Sequence, residues 1–549
     1  PDLIVVMNWL LRNPSADFAL PGRPGVREAC PPIAADTPAQ IKSLAWILRL
    51  EGYDWEQWFH PARFPSVAVR RGEISLYSHG VNNAVAVKWG AVWASTFGRK
   101  SASLLSVSAW RRLRAHHGTA SGGFAADEHL AGKEPHRGTE LCVVVEALRS
   151  LAYVYAARVD LPELGDDIER LAFNALPAAT SEDHWAHQYL TQTNAFLSGL
   201  EAEALANAQL AGPRPDDAGP PISPTFGNVG ADATAFGLAP NFPCCTVNFG
   251  QGWPNVLHSA WLVDGGRSTG TGFEEAPVLV SAIFVPSIFQ LPGPVYGDMS
   301  LETDYPFPPT SVLKYVFRGL SCKVWLVVRI PHWADLQRTE VQLPGAGWIP
   351  ALQGDASRQT KRDLLGALRF PVHGTGTLQV RFGTAVQLRK VSLGHLRGGT
   401  PMLGPLAFVL PIPHRSQVFE PFSDEKLGRR HPLPAYPSQV RDEELLPVDL
   451  GGWAFALPSN ASASQEGWRL VQVQDAGGSL GSKTCSWQLS ALLWSWPEWG
   501  RLLTKEHRPR LTMDRLPDTP PARLELEERT LVPFGCSQLR LATLPIVDA

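Results

Sequence analysis

The sequence contains few cysteines. Its 549 residues include seven, which are Cys30, Cys142, Cys244, Cys245, Cys322, Cys485 and Cys536. So odd and sparse a set excludes a disulfide framework as the main support of a chain this long. The arrangement of the cysteines is nevertheless informative. Cys142 follows Glu140 by two residues, and Cys244 and Cys245 are adjacent.

The chain also lacks a basic surplus and a long apolar run. Its formal net charge is -3, which argues against a nucleic-acid partner because no excess of Lys and Arg exists to release phosphate counterions. No segment approaches the roughly eighteen apolar residues of a membrane helix. The longest candidate, 276–285, is typical of a buried strand. We therefore expect a globular protein without a membrane span.

The residues that are abundant are proline and tryptophan. There are 48 Pro and 19 Trp, and the proline content exceeds the usual level of about 5%. This composition favours long ordered loops and aromatic-lined clefts. The length alone predicts two or three domains.

The pattern of apolar residues changes near residue 266. Before it, the segments 40–55, 82–96 and 140–159 carry apolar residues at helical spacing, and 255–263 is predicted to be a further helix. After it, the segments 321–334, 377–383, 401–412 and 529–545 are short apolar and β-branched runs interrupted by Gly and Pro, as in antiparallel β-sandwiches. We therefore predict a multidomain α + β protein, with a helical domain over 1–265 and β-sandwich domains over 266–395 and 396–549.

Glu140 and Cys142 are predicted to lie in the first turn of a helix. Thr139 is a suitable N-cap, and a strong apolar helical pattern follows it. Residues two positions apart on a helix are rotated by about 200° around its axis, so the side chains of Glu140 and Cys142 cannot share a lateral face. They can share a metal at the helix tip, where the helix dipole also favours a thiolate.

The adjacent pair Cys244-Cys245 is suited to a metal. Neighbouring Cα atoms lie about 3.8 Å apart, below the usual disulfide window of about 4.4–6.8 Å, whereas two thiolates can bind one Zn²⁺. Pro243 and the segment 246–248 predict a rigid turn here. From spacing alone, two alternatives remain open: the cysteines are buried small hydrophobic residues, or they hold a purely structural zinc.

The order of four motifs resembles the catalytic domain of glycoside hydrolase family 127, whose founding activity is β-L-arabinofuranosidase. The motifs are HGVNNAVAVK (79–88), SGGFAADEHLAG (121–132), GTELC (138–142) and CCTVN (244–248). Later segments, VVRIPHW (327–333), GPL (404–406) and TLVPFGCSQLRL (530–541), are similar to the β-sandwich segments of that family. The resemblance extends from about residue 79 to the C-terminus. Thr246 and Val247 follow the cysteines where the family has Pro-Pro or a similar pair, and Gln251 stands near the position of an Arg, so the resemblance implies least about substrate specificity.

The resemblance implies an (α/α)-barrel followed by β-sandwich domains, and a zinc bound by Glu140, Cys142, Cys244 and Cys245. It also implies a retaining mechanism, with Cys244 as the nucleophile and Glu128 as the general acid/base. Asp127 and Glu134 are the alternatives to Glu128. The candidate substrate-binding residues are His79, His129, Asn248 and Trp253, with His184, His187 and Trp185 as weaker candidates.

These implications predict a zinc-dependent retaining glycosidase that releases a terminal furanose, with β-L-arabinofuranose as the expected sugar. The alternative is an inactive carbohydrate-binding or structural relative that retains a structural zinc. A redox function is disfavoured by the lack of a Cys-x-x-Cys pair. The glycan substrate and the sequon at Asn460 favour secretion, and the start at Pro1 suggests processing, truncation or an incomplete N-terminus. Cys322, Cys485 and Cys536 are predicted to be packing residues.

Overall fold

A computed structural model describes most of the chain. The described residues are 2–6, 37–196, 198–199, 232–264, 268–269, 272–273, 276–291, 297–352, 367–393, 396–419, 442–448, 453–459, 467–473, 486–497 and 524–547. The Asn460 sequon, Cys30, Cys485 and most of the predicted 211–240 loop lie outside these ranges.

Helices predominate up to residue 258. They are α1 (Thr37–Glu51), α2 (Trp55–Trp58), α3 (Gly80–Ala86), α4 (Trp89–Phe97), α5 (Ser103–His117), α6 (Leu141–Ala157), α7 (Glu163–Arg170), α8 (Leu176–Ala178), α9 (Cys244–Phe249) and α10 (Gly252–His258). A π-helical turn, Leu171–Ala175, joins α7 to α8. Helix α6 contains the predicted apolar pattern, and most of its side chains are buried.

A small sheet lies within the helical region. Its strands are β1 (Ala126–Asp127), β2 (His129–Leu130), β3 (Gly138–Glu140) and β4 (Leu190–Gln192), in the order β2-β1-β3-β4. The sequence pattern did not predict this sheet, because its strands are only two or three residues long and show no alternation.

Strands predominate after residue 260. The first group is β5 (Trp261–Asp264), β6 (Ser268–Thr269), β7 (Gly272–Phe273), β8 (Val278–Ser281), β9 (Ser287–Gln290), β10 (Asp298–Glu302), β11 (Leu313–Arg329), β12 (Asp335–Gln342), β13 (Trp348–Pro350) and β14 (Ala367–Gly383). Eight of these strands form one sheet with the main order β13-β12-β14-β11-β10-β9, and β8 joins β11 to β5. Strands β6 and β7 form a separate pair.

The second group forms another large sheet. The strands are β15 (Val386–Leu393), β16 (Leu396–Leu403), β17 (Leu406–Pro411), β18 (His414–Phe419), β19 (Asp442–Pro447), β20 (Phe455–Pro458), β21 (Trp468–Gln472), β22 (Trp487–Ser495), β23 (Glu525–Pro533), β24 (Arg540–Leu541) and β25 (Leu544–Val547). Nine of them follow the main order β15-β16-β25-β20-β22-β23-β17-β24, with β21 on β22, while β18 pairs with β19. The prediction of a mixed helix-and-sheet protein is confirmed.

Two local predictions are wrong. The segment 255–263 is not one helix, because α10 ends at His258 and β5 begins at Trp261. Cys536 is not only a packing residue, because it is disulfide-bonded. Cys322 is a free thiol that packs against the hydrophobic core, as predicted. Among the described helices, none has both the length and the apolar character needed to cross a bilayer.

A buried ionic cluster attaches helix α7 to the first large sheet. Arg329, at the end of β11, is paired with Asp166 and lies 2.6 Å from Glu169. Glu169 also accepts hydrogen bonds from the Tyr305 hydroxyl at 2.8 Å and from the Phe284 amide at 2.9 Å. Because a buried charge is costly unless it is paired and hydrogen-bonded, these contacts fix the sheet against the helical region.

Candidate active site and metal centre

The candidate site is built on the small sheet and on the N-terminus of α3. The amide of Gly80 donates a hydrogen bond of 2.7 Å to the Glu128 carbonyl. A Cβ atom at Gly80 would lie 2.4 Å from Cβ of Ala126, so this close approach requires glycine. Glu128 itself has a φ of 71°, in the left-handed region. Such a conformation is strained for a residue with a Cβ and is typical of functional positions.

Asp127 forms a structural ion pair with Arg137. Its carboxylate accepts hydrogen bonds from the Arg137 guanidinium and the Gly138 amide, and Asp127 is fully buried. Burial raises the pKa of Asp127, although Arg137 and the hydrogen bonds oppose this effect. These contacts leave Asp127 poorly placed to exchange protons with a substrate, and they hold the adjacent Glu128 in position.

Glu128 is held from both sides by side chains. The Tyr189 hydroxyl donates a hydrogen bond to Oε1, and His79 Nε2 lies 3.2 Å from Oε2. Glu128 is buried, whereas the His79 side chain is 27% exposed. The Glu128 carboxylate therefore lies behind a partly exposed imidazole. Glu134, the other alternative, is absent from the carboxylate, imidazole and thiol cluster in the described part of the chain.

Glu140, and not Thr139, occupies the N-cap position of α6. Its backbone is extended, and its side chain makes no capping hydrogen bond. Thr139 lies in β3, where its hydroxyl donates to the Phe124 carbonyl. The predicted cap is therefore wrong by one residue. The carboxylate of Glu140 is free to point towards the thiols, while Cys142 lies in the first turn of the helix.

Cys244 and Cys245 begin a short helix, α9, where a rigid turn was predicted. Pro243 precedes it at the N-cap, and proline is well tolerated at helix N-termini because its fixed φ suits the first turn. The helix points the two sulfurs differently. Cys245 is buried and Cys244 is exposed.

The four predicted metal ligands converge. One donor atom from each of Glu140, Cys142, Cys244 and Cys245 lies within 4.8 Å of all the others. The sulfurs of Cys142 and Cys245 are 3.4 Å apart. Oε1 of Glu140 lies 3.7 Å from the Cys244 sulfur and 3.9 Å from the Cys245 sulfur. Ligand atoms around a tetrahedral zinc are separated by roughly 3.5–3.8 Å.

The residues present fit a metal ion. Oε2 of Glu140 is buried and lacks a hydrogen-bond partner among the described residues, which is costly for a carboxylate unless something else binds it. Three sulfurs and a carboxylate form a donor set suited to zinc. The geometry is therefore compatible with a zinc centre, although it does not identify the metal.

Without a metal, the protons in this cluster are distributed unevenly. Burial, together with the charges of Glu128 and Cys244, raises the pKa of Glu140 well above its usual value. Hydrogen bonds from the Cys142 and Cys245 thiols and from the Tyr189 hydroxyl lower the pKa of Cys244. Burial raises the pKa of Cys245. Cys244 is therefore the sulfur that most readily carries negative charge.

A second contact anchors the start of α9. The Thr246 hydroxyl lies 2.9 Å from His187 Nε2 and donates a hydrogen bond of 2.7 Å to the Leu238 carbonyl. His187 is buried, and burial lowers its pKa. Both histidines expected on the 182–194 loop thus contact the cysteine helix. His187 contacts its start, and His184 stacks on Phe249 at its end, at 6.4 Å between ring centroids.

The remaining predicted residues are placed as follows. The His129 ring lies edge-on to His79 at 5.7 Å, and its Nδ1 is 2.9 Å from the Ser78 hydroxyl. Asn248 accepts a hydrogen bond from Gln251 at 2.8 Å on the exposed side of α9. Trp253 packs against Phe173 and the hydrophobic core. Trp185 is 48% exposed. Of these four side chains, that of His129 lies beside the His79 ring.

Sequence reasoning missed Tyr189 altogether. The residue is adjacent to β4 in the segment 182–194, whose histidines and Trp185 were the candidates. Its hydroxyl donates a hydrogen bond to Glu128 and lowers the pKa of Cys244. No local pattern could have identified it, because its partners are 61 and 55 positions away in the sequence.

Three solved structures are similar to this chain over 93% of its length. A family 127 β-L-arabinofuranosidase from Geobacillus stearothermophilus T6 has a TM-score of 0.52 and 13% identity, with 66% of its chain covered. A second family 127 β-arabinofuranosidase has a TM-score of 0.54 and 13% identity, also with 66% covered. A third structure, described as a glycoside hydrolase, has a TM-score of 0.56 and 10% identity, with 72% covered.

The chain therefore has a fold like that of family 127 glycoside hydrolases, and it spans about two thirds of the length of the first two structures. No protein-family model matches the sequence, and no curated protein matches it.

Proposed function

We propose that this protein is a retaining glycoside hydrolase that releases a terminal furanose from a glycan, with β-L-arabinofuranose as the sugar. The family 127-like fold supports a glycosidase. The four converging ligand residues support a zinc centre. The sugar is taken from the activity of the similar structures.

One observation carries the proposal: a buried glutamate and an exposed cysteine both lie close to Glu140. A carboxylate oxygen of Glu128 is within 4.8 Å of one of Glu140, and Oε1 of Glu140 is 3.7 Å from the Cys244 sulfur, so the two groups can act in one space. A retaining glycosidase needs such a pair, one group to attack the anomeric carbon and one to move a proton at the leaving oxygen. Cys244 is the exposed sulfur, and Glu128 is the carboxylate beside it.

The first step forms a covalent bond to the enzyme. The Cys244 thiolate attacks the anomeric carbon while Glu128 donates its proton to the departing glycosidic oxygen, so that a thioglycosyl enzyme and the free aglycone result. In the second step Glu128 removes a proton from water. The water oxygen bonds to the anomeric carbon, and the Cys244 thiolate leaves. Two displacements at one carbon retain its configuration.

When bound, zinc would hold the cysteine sulfurs as thiolates at neutral pH. Glu140, Cys142, Cys244 and Cys245 are the residues that would bind it. Cys142 and Cys245 are buried, which suits a permanent ligand, and Cys244 is exposed, which suits a nucleophile. The Tyr189 hydroxyl also lowers the pKa of Cys244, which favours its thiolate.

His79 is the favoured sugar-binding residue among the candidates. It is partly exposed beside Glu128, and its Nδ1 has no partner within the described ranges. We assign it to a sugar hydroxyl. The His129 ring packs edge-on against the His79 ring, and Asn248 on α9 and Trp253 on α10 remain proposals. The proposed architecture is an (α/α)-barrel over 1–265 and β-sandwich domains over 266–395 and 396–549.

Hydrolysis of an aryl β-L-arabinofuranoside tests this function, with the zinc content of the purified protein measured in parallel. We expect turnover, about one zinc per chain, and an initial product with the β configuration by NMR. Cys244→Ser and Glu128→Gln should abolish turnover while the folded state survives. A zinc-loaded protein without turnover on any furanoside would instead identify the inactive carbohydrate-binding or structural relative.

A further inference from the structure

The first turn of α9 depends on a contact outside the catalytic groups. The Thr246 hydroxyl lies between His187 Nε2 and the Leu238 carbonyl, at 2.9 and 2.7 Å. A hydroxyl donates one proton and accepts another, so it satisfies both contacts when Nε2 carries a proton. The hydroxyl therefore connects Thr246, which follows Cys245 directly, to the segments that contain His187 and Leu238.

Both partners of Thr246 are themselves fixed. The backbone of His187 exchanges two hydrogen bonds with Gly237, at 2.9 and 3.1 Å, and also pairs with Thr180. The His187 side chain is 5% exposed. His187 and Leu238 therefore provide a rigid support.

Helix α9 has little other support near its start. It is six residues long, it lacks a side-chain N-cap, and Cys245 is its buried residue. Val247 is 78% exposed. In the described part of the chain, the other side-chain hydrogen bonds of residues 244–247 join sulfurs to each other or to Glu140 and Tyr189.

We infer that His187 is a positioning residue, which acts through Thr246 to keep Cys245 in the metal cluster and Cys244 at the surface. The inference rests on the proposed function, in which Cys244 bonds to a sugar and is released again. That exchange requires the neighbouring residue to stay in place. Removal of residues that hold metal ligands in place commonly lowers metal affinity or activity by about 10–100-fold.

The test compares four single variants and one double variant of the zinc-loaded protein. Thr246→Val and His187→Phe remove the contact, and Thr246→Ser retains the hydroxyl. Thr180→Val is the matched control, because the buried Thr180 hydroxyl donates to the Pro177 carbonyl at 3.1 Å in the same hairpin, away from α9. The readouts are zinc transfer to a chromogenic chelator, alkylation of Cys244 by iodoacetamide, and kcat and KM separately.

We expect Thr246→Val and His187→Phe to accelerate zinc transfer and Cys244 alkylation about 10-fold or more, and to lower kcat similarly. KM should change by less than about 3-fold. Thr246→Ser should resemble the wild type, and the double variant Thr246→Val/His187→Phe should be no worse than either single one. Thr180→Val should lower the melting temperature without changing zinc transfer.

Equal zinc-transfer rates in Thr246→Val and Thr180→Val would overturn the inference, as would wild-type rates in both Thr246→Val and His187→Phe. So would a wild-type protein that binds no zinc. A wild type that binds zinc but hydrolyses no furanoside would refute the proposed function alone, since accelerated zinc transfer and alkylation in the two variants would still establish the positioning role.

Discussion

Tyr189 donates a hydrogen bond from its hydroxyl to Oε1 of Glu128. Burial and the charges of Glu140 and Glu128 raise the pKa of Tyr189, so the hydroxyl keeps its proton over the working range of an enzyme. The same hydroxyl lowers the pKa of Cys244. Tyr189 thus orients Glu128 and favours the thiolate of Cys244, the two groups that the proposed reaction uses.

Replacing Tyr189 with Phe should therefore impair catalysis more than stability. Removal of one oriented donor from an active site costs roughly 10²–10³-fold in kcat in well-studied cases. We expect a loss of about 10–100-fold here, because His79 still contacts Oε2 of Glu128. Steady-state kinetics on an aryl β-L-arabinofuranoside measure the effect.

Tyr305 provides the matched control for that substitution. It is a buried tyrosine whose hydroxyl donates to Glu169 at 2.8 Å, outside the candidate site. Tyr305→Phe should lower the melting temperature and leave kcat within about 2-fold. Equal kinetic losses in the two variants would show that Tyr189 acts only through the fold.

Asp127 and Glu128 should respond differently to loss of charge. Asp127→Asn breaks a buried ion pair with Arg137, and such a change typically costs about 3–5 kcal/mol. Glu128→Gln should preserve the melting temperature within a few degrees and abolish turnover of substrates with basic leaving groups, since these need protonation. Thermal denaturation and leaving-group series measured together distinguish the two residues. A stable, inactive Asp127→Asn would reassign the acid/base role.

Glu140 should destabilise the metal-free protein at neutral pH. Its pKa is raised in the folded state by burial and by Glu128 and Cys244, so ionisation favours the unfolded chain. Stability is then lost as pH rises through the ordinary carboxyl range, from about 4.3 upward. Under reducing conditions, metal-free Glu140→Gln should melt above the metal-free wild type at pH 7.

Zinc should reverse the order of the two melting temperatures, so that the wild type melts above Glu140→Gln. A metal that binds only the folded state raises the melting temperature, and Glu140→Gln removes one of its ligands. The measurement is a melting curve for each protein with and without one equivalent of zinc. If the metal-free variant melts below the metal-free wild type, the Glu140 carboxylate does not destabilise the folded protein, and the prediction is contradicted.

The buried cluster between α7 and the first large sheet should contribute strongly to stability. Glu169→Gln leaves Arg329 with one carboxylate partner, and breaking a buried pair typically costs about 3–5 kcal/mol. The exposed pair Arg381–Glu340 is the control, since Glu340→Gln should cost less than about 1 kcal/mol. Chemical denaturation of both variants tests this difference, and equal losses would contradict it.

The sequence sufficed to predict that Glu140, Cys142, Cys244 and Cys245 form one cluster, but not its geometry. Residue type and spacing left buried cysteines open as an alternative, and the family resemblance implied that the four residues meet. The apolar period of α6 and the strand texture after residue 266 were equally visible, since they follow the burial pattern of each element. The domain boundaries remain predictions.

Other features depend on contacts distant in sequence. Thr139 is a good N-cap by type, but its pairing in β3 makes Glu140 the cap. Cys244 begins a helix that the local turn signals did not indicate. Tyr189 and His187 gain their roles from residues 55 to 61 positions away, which no local pattern encodes.

The most direct test of the account is a search for a sugar attached to Cys244. In Glu128→Gln, the second step lacks its base, so an activated aryl β-L-arabinofuranoside should leave the thioglycosyl enzyme accumulated. Acid quenching, digestion and mass spectrometry should find the peptide containing Cys244 and Cys245 heavier by one pentosyl group, on Cys244. A pentosyl group on another residue, or active wild-type enzyme whose Cys244→Ser variant retains full turnover, would contradict the account.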